Sequence, residues 1–87
     1  MLYVIQAENN LYKIGISVNP LKRLKQLQTG NGHKLKILKT YNVKNEKVTE
    51  KRLHAMLWQN QSILGKTEWF KLSNECLEWL LQFLETC

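Results

Sequence analysis

The sequence has few cysteines, few acidic residues and no long apolar run, and each shortage excludes a class of protein. The two cysteines, Cys76 and Cys87, lie near the end of the sequence, so the chain has neither a disulfide framework nor a four-cysteine zinc site. No apolar run approaches the roughly 18 residues that a membrane span requires. Residues 1–6 also lack the basic start of a signal peptide. We therefore expect an intracellular protein with no membrane partner.

Acidic residues are scarcest where basic residues are concentrated. Residues 13–52 hold eleven of the thirteen lysines and arginines but only two acids, Glu46 and Glu50, which gives this stretch a formal charge of +9. The whole chain carries +6, because residues 53–87 contribute −2 and Glu8 contributes −1. A basic middle segment indicates a polyanionic partner, and nucleic acid is the commonest one. The alternative is a basic surface that serves only solubility.

The 87 residues suffice for one domain, over residues 1–87, with a single core. Apolar runs, turns and caps predict an α+β fold, with a small central antiparallel sheet of about three strands flanked by helices. The leucine stripe of the last helix suits packing within the chain, so we expect a monomer rather than a dimer. The predicted elements are a hairpin over 2–16, a helix over 20–29, a strand over 35–43, a helix over 45–59, a short strand or extended segment over 68–72, and a last helix capped by Ser73 or Asn74.

The register of the hairpin decides which residues share a face of the sheet. With a three-residue loop, Tyr3 lies opposite Gly15, and Lys13 shares their face while Tyr12 lies on the other. A register shifted by one residue would instead bring Tyr12 onto the face of Tyr3.

The strand that contains Gly15 runs into a basic helix. Asn19 is expected to cap this helix, and Gly30 suits a left-handed C-cap after its end. Gly15 allows close approach to the backbone, and Arg23 would be held on a rigid helix. A phosphate-binding site needs open space at the backbone and a guanidinium on a rigid support. The alternative is a solvated basic helix after a turn.

The ordered set of these residues resembles the GIY-YIG nuclease superfamily, and most closely its compact branch of viral, phage and meiotically up-regulated gene proteins. The resemblance covers about residues 2–72. Two departures are that Met1 and Leu2 replace the glycine and isoleucine of the first motif, and that Lys13 replaces the tyrosine of the second, where this branch often has lysine. The stretches that carry the resemblance are Tyr3, Lys13-Ile14-Gly15, Arg23-Leu24, Gln28-Thr29-Gly30-Asn31, Glu50 to His54, and Glu68-Trp69-Phe70.

The resemblance implies a metal-dependent endonuclease that hydrolyses DNA phosphodiester bonds. Tyr3 would lie beside the attacking water, Arg23 would hold the scissile phosphate, and Glu50 would bind one Mg²⁺ or Mn²⁺ ion. The role of the second-motif tyrosine falls to Lys13 or to Tyr12. Either Tyr3 or Lys13 would accept the proton of the water.

Further site residues are expected around this set. His33 lies in a loop where many members keep a histidine or tyrosine, and His54 shares a helix face with Glu50. Three further residues are expected to contact the substrate, namely Gly15, Lys22 and Lys25.

Each of these residues also has a plainer interpretation. Glu50 would only pair with Lys47 or His54 on a helix surface, and Lys13 would be a solvated strand lysine. At the level of function, the alternative is a non-catalytic nucleic-acid-binding module with the same fold. Since no specificity domain is evident, we expect weakly selective cleavage or a targeting protein.

Overall fold

A computed structural model of the chain describes residues 1–57 and 69–86. The strands form one antiparallel sheet in the order β3–β1–β2–β4. The predicted α+β class is confirmed, with four strands rather than about three because the segment after residue 68 pairs with β2. The elements of the described residues are β1 (Leu2–Ala7), β2 (Leu11–Ile16), α1 (Pro20–Thr29), β3 (Leu35–Tyr41), α2 (Glu46–Met56), β4 (Trp69–Lys71) and α3 (Asn74–Glu85).

The hairpin has the predicted register. Tyr3 pairs with Gly15 and Ile5 pairs with Lys13. Asn10 lies in the left-handed region with φ of 62°, which asparagine tolerates in a turn. Its backbone N–H donates to Ala7 at 3.0 Å. The turn therefore fixes the register locally.

The two faces of the sheet carry separate apolar clusters. On one face, which we call the α1 face, α1 packs over the smaller cluster. On the other, the α2–α3 face, both remaining helices pack over the larger cluster. The buried members on the α1 face are Tyr3, Ile5, Ala7 and Leu35. Those on the α2–α3 face are Leu2, Val4, Tyr12, Ile14, Tyr41, Val43, Leu53, Leu57, Phe70, Leu72, Leu80 and Leu84.

Helix α1 begins as predicted but ends differently. The Asn19 side chain accepts a hydrogen bond from the Lys22 N–H at 3.2 Å. At the other end, Gly30 has φ of −98°, so the prediction of a left-handed C-cap was wrong. The chain turns there because the Gln28 amide accepts from Leu35 N–H and donates to the His33 carbonyl, both at 2.8 Å.

Helix α2 is shorter than predicted, and only one of the two predicted caps of α3 is used. Helix α2 ends at Met56, three residues before the predicted end, and the predicted loop over 59–67 lies outside the described residues. Ser73, rather than Asn74, caps α3 by accepting from Cys76 N–H at 3.2 Å. None of the described helices is long and apolar enough to cross a membrane.

Strand β3 forms an edge of the sheet and alternates apolar residues with lysines. Lys34, just before it, and Lys36 and Lys39 within it are all exposed. A bulge interrupts the pairing, because Val4 pairs with Lys39 whereas Ile5 pairs with Ile37. Lys39 also forms an ion pair with Glu85 of α3, which ties the last helix to this edge.

Gly15→Ala is expected to destabilise the fold. A Cβ at this position would lie 2.6 Å from Cζ of the Tyr3 ring, and such overpacking typically costs about 1–3 kcal/mol. Urea unfolding of the variant measures the cost.

The matched control is Gly32→Ala, where a Cβ would meet nothing within 4 Å. That change should stay within about 0.5 kcal/mol. Replacing the ring by Tyr3→Leu should remove most of the Gly15→Ala penalty in the double variant. Equal costs at the two glycines would contradict the prediction.

Candidate active site

The ring of Tyr3 lies across β2 at Gly15. Tyr3 is only 2% exposed, and its ring occupies the space that a side chain at Gly15 would need. Directly opposed residues share a face, so the tyrosine reaches over its partner strand on the α1 face. The phenol oxygen is therefore held over β2 instead of over its own strand.

Lys13 lies on the same face as this ring. It is two residues from Gly15 on β2, and alternate residues of a strand share a face. It is 5% exposed, and it is the one buried charged residue in the described chain. Its Nζ lies 5.7 Å from the centroid of the Trp69 ring, within the range of a cation–π contact. The interpretation as a solvated lysine was therefore wrong. Burying this charge is costly unless it is compensated.

Tyr12 is separated from this group by the sheet. It is 4% exposed in the cluster on the α2–α3 face, and its hydroxyl accepts from Gln6 Nε2 at 3.2 Å. The predicted separation of Tyr12 from Tyr3 is thus confirmed. Of the two candidates for the second-motif role, Lys13 has the position on the face of Tyr3.

Arg23 lies at the margin of the stripe of α1 that faces the sheet. The partly buried positions recur at helical spacing, and Leu24 and Leu27 among them pack on the α1 face. Arg23 belongs to this stripe, with one guanidinium nitrogen 3.4 Å from Gln26 Oε1. Its neighbours Lys22 and Lys25 are exposed. The partly buried positions of the helix are Pro20, Arg23, Leu24, Leu27 and Gln28.

Helix α2 packs near the second half of β2, where two polar contacts hold it. Near its start, Glu46 Oε1 lies 2.9 Å from the Met1 nitrogen, which in turn donates to the Ser17 carbonyl at 2.8 Å. Eight residues later, His54 Nε2 lies 2.9 Å from the Ile14 carbonyl oxygen. The helix is therefore fixed along this strand by two polar anchors.

Glu50 lies midway between these anchors. It is one turn, about 6 Å, from each, and residues four apart share a helix face. This spacing puts Glu50 on the helix face that carries both anchors. The side chain is half-buried, and within the described residues it forms no ion pair. The plainer interpretation, pairing with Lys47 or His54, is thus not observed.

His54 contacts the strand and the core together. Its ring centroid lies 5.4 Å from that of Phe70. In the described residues β4 pairs only with the first half of β2, and the histidine contacts the strand just beyond this pairing. His54 is therefore a residue that positions α2, and with it Glu50.

His33 lies away from this group. Its side chain is 52% exposed, and Nδ1 is 3.7 Å from Glu8 Oε1. Glu8 directly follows β1. The end of β1 at Ala7 lies four residues, or about 13 Å, along the strand from Tyr3. A cleft between the hairpin turn and the start of β3 lies at that same end. It is lined by Gln6, Ala7, Glu8, Asn10, Lys34, Leu35 and Lys36.

We call the set Tyr3, Gly15, Arg23 and Glu50 the Gly15 edge. The structure places the Tyr3 ring against Gly15. Arg23 is on α1, which covers the same face as that ring, and Glu50 is on the face of α2 that is anchored beside β2. Sequence reasoning missed the structural use of Gln28, whose amide joins α1 to β3. The resemblance had marked that glutamine, and its bonds to His33 and Leu35 explain its use.

The donor set at this edge suits a hard divalent cation held by one carboxylate. Within residues 1–57 and 69–86, no three His, Cys, Asp or Glu side chains are grouped to hold a metal. Mg²⁺ is commonly bound by one or two carboxylates with waters and substrate phosphate oxygens as its other ligands. Glu50 fits that pattern, because no ion pair in the described residues occupies its carboxylate.

One comparison with known proteins is positive. A family model described as the T5orf172 domain matches residues 1–86, which is nearly the whole chain. This domain has a GIY-YIG-like fold, so the superfamily resemblance is confirmed at that level. No curated protein and no solved structure matches significantly.

His54→Ala is expected to lower the free energy of unfolding by about 1–3 kcal/mol, because the Ile14 carbonyl loses its donor. His54→Gln retains an N–H donor and should recover part of the loss. Denaturant unfolding measures both. The control is Met56→Ala, on the same helix at a residue that is 48% exposed. An unchanged unfolding midpoint for His54→Ala would show that the contact does not hold α2.

Proposed function

We propose that this chain, which belongs to the T5orf172 domain family, is a metal-dependent endonuclease that hydrolyses DNA phosphodiester bonds. The observation that carries the proposal is the seating of the Tyr3 ring on Gly15 of β2, because α2 is anchored beside that same strand. In the proposal, Arg23 and Glu50 reach the phosphate from α1 and α2. We further propose that the chain belongs to the compact viral, phage and meiotically up-regulated gene branch, since Lys13 and the Gln28-Thr29-Gly30-Asn31 stretch match it.

Arg23 binds the scissile phosphate in this proposal. A planar guanidinium donates to two phosphate oxygens at once, and a helix that faces the sheet limits its motion. Its contact with Gln26 is long, at 3.4 Å, so a phosphate can replace it at small cost. Arg23 thereby stabilises the charge that develops on the phosphate during attack.

Glu50 holds Mg²⁺ or Mn²⁺, which when bound supplies positive charge to the phosphate and polarises the attacking water. Tyr3 and Lys13 orient that water or accept its proton, since both lie on the α1 face beside Gly15. The hydroxyl of Tyr3 is held over β2, and Lys13 lies at the next position of the same face.

The DNA approaches from the side of α1. Lys22 and Lys25 are exposed there, and α1 contains no acidic residue. These lysines attract the phosphate backbone without reading sequence. Cleavage is then either weakly selective for sequence or directed to its site by a targeting protein.

The second candidate is a non-catalytic nucleic-acid-binding module. The burial of Tyr3, which is 2% exposed, favours it, because a phenol that only packs the sheet would look the same. Incubation of the chain with supercoiled plasmid, with and without Mn²⁺, separates the two. Nicking that requires Mn²⁺ supports the enzyme, and binding without nicking supports the module.

Glu50→Ala should lower plasmid cleavage by about 10²-fold or more, because the single carboxylate ligand is lost. DNA binding and the melting temperature should change little. The control is Glu78→Gln, at an exposed carboxylate of α3, which should cleave normally. Near-normal cleavage by Glu50→Ala would remove Glu50 from the site.

Arg23→Lys keeps the charge but loses the planar fork. We expect nearly normal DNA affinity with cleavage reduced about 10²–10³-fold in single-turnover assays. The matched control is Lys25→Ala, which should weaken binding yet leave cleavage at saturating enzyme unchanged. If Arg23→Lys cleaves like the natural chain, the arginine is only part of the basic surface.

A further inference from the structure

Two apolar side chains are exposed at the turn between β2 and α1. Val18 is 99% exposed and Leu21 is 66% exposed. Single exposed apolar residues are ordinary. Here, however, two of them lie within four residues, on the corner that leads directly to Arg23.

This corner is held by hydrogen bonds on both sides of Val18. The Ser17 N–H donates to the Met1 carbonyl at 2.9 Å, and the Asn19 N–H donates to Ser17 Oγ at 3.1 Å. Asn19 then caps α1, and Pro20 fixes its own φ at the first helical position. Val18 is thus presented on a fixed support, so inserting it into a partner costs little ordering of the backbone.

The charge around the corner selects the chemistry of the partner. Lys22 and Lys25 are exposed on α1 close to Leu21, and α1 has no acidic residue. A suitable partner combines closely spaced negative charges with apolar surface. DNA offers both where a base step is opened, because the phosphates lie beside exposed base faces.

We propose that Val18 and Leu21 form an apolar wedge that enters an opened base step next to phosphates bound by Lys22 and Lys25. The preferred DNA is therefore a duplex whose stacking is already interrupted, such as a bulged or gapped one. Inserted apolar side chains partly unstack a base step at a cost of a few kcal/mol, and DNA that is already unstacked avoids much of that cost. This inference rests on the proposed function, since it requires DNA to lie across α1.

The test measures binding in a chelator, so that no cleavage occurs. Fluorescein-labelled duplexes are used, one intact and one with a two-nucleotide bulge beside a 2-aminopurine. We expect the natural chain to bind the bulged duplex about tenfold more tightly, which corresponds to about 1.4 kcal/mol. Binding should also raise the 2-aminopurine fluorescence, because the base loses its stacking neighbour.

The variant is Val18→Ser/Leu21→Ser. It should bind the two duplexes within about twofold of each other, with affinity for the intact duplex little changed and the fluorescence rise lost. Its fold should persist, because both side chains are exposed, and a thermal melt checks this. The control is Val48→Ser on α2, where the valine is 54% exposed. It should keep the preference and the fluorescence rise.

The outcomes separate this inference from the proposed function. If the natural chain shows no preference, or the double variant keeps it, the wedge is overturned while salt-dependent DNA binding still stands. If neither duplex is bound with an affinity that falls as salt rises, the wedge and the DNA-directed function fail together. A partner protein would then be the occupant of the corner.

Discussion

The contact between the Tyr3 ring and Gly15 is the constraint on which the arrangement depends. Any side chain at position 15 would overlap the ring, so glycine there lets β1 and β2 pair in this register without displacing the ring. A slip of one residue would bring Tyr12 onto this face and leave the Tyr3 ring without its space. The positions of Lys13 and of the outer edge of β2 follow from that register. The candidate site is thus a consequence of how the hairpin packs.

The features that the sequence predicts well are those encoded by neighbouring residues. The hairpin, its register and the start of α1 depend on turn and cap chemistry within a few positions. The burial of Lys13 and the contact of His54 with Ile14 depend on partners far along the chain. The use of Gln28 depends on how the loop after α1 folds back onto its amide. The pairing of Trp69–Lys71 with β2 also joins residues that are far apart in the sequence. Periodicity does not carry such information, so these features appear only in three dimensions.

The two faces of the sheet differ in how firmly their helices are held. Helix α1 has no fully buried residue, whereas α3 buries Leu80 and Leu84 in the larger cluster. Regions with few buried apolar contacts open locally at lower free energy than the core. The helix that carries Arg23 therefore belongs to the less stable side, where a site can adjust to its ligand. The bonds of the Gln28 amide limit that adjustment by tying the helix to β3.

The lysines of β3 affect the chain before any ligand is present. An edge strand offers unpaired backbone groups that can template pairing with another chain. Lys34 and Lys36 set positive charges along this edge, whereas Lys39 is paired with Glu85, so a second copy in register would bring like charges together. The bulge between Ile37 and Lys39 further breaks the regular ladder. The charges that favour binding of a polyanion thus disfavour self-association at this edge. At high protein concentration they would oppose the growth of β-sheets between molecules.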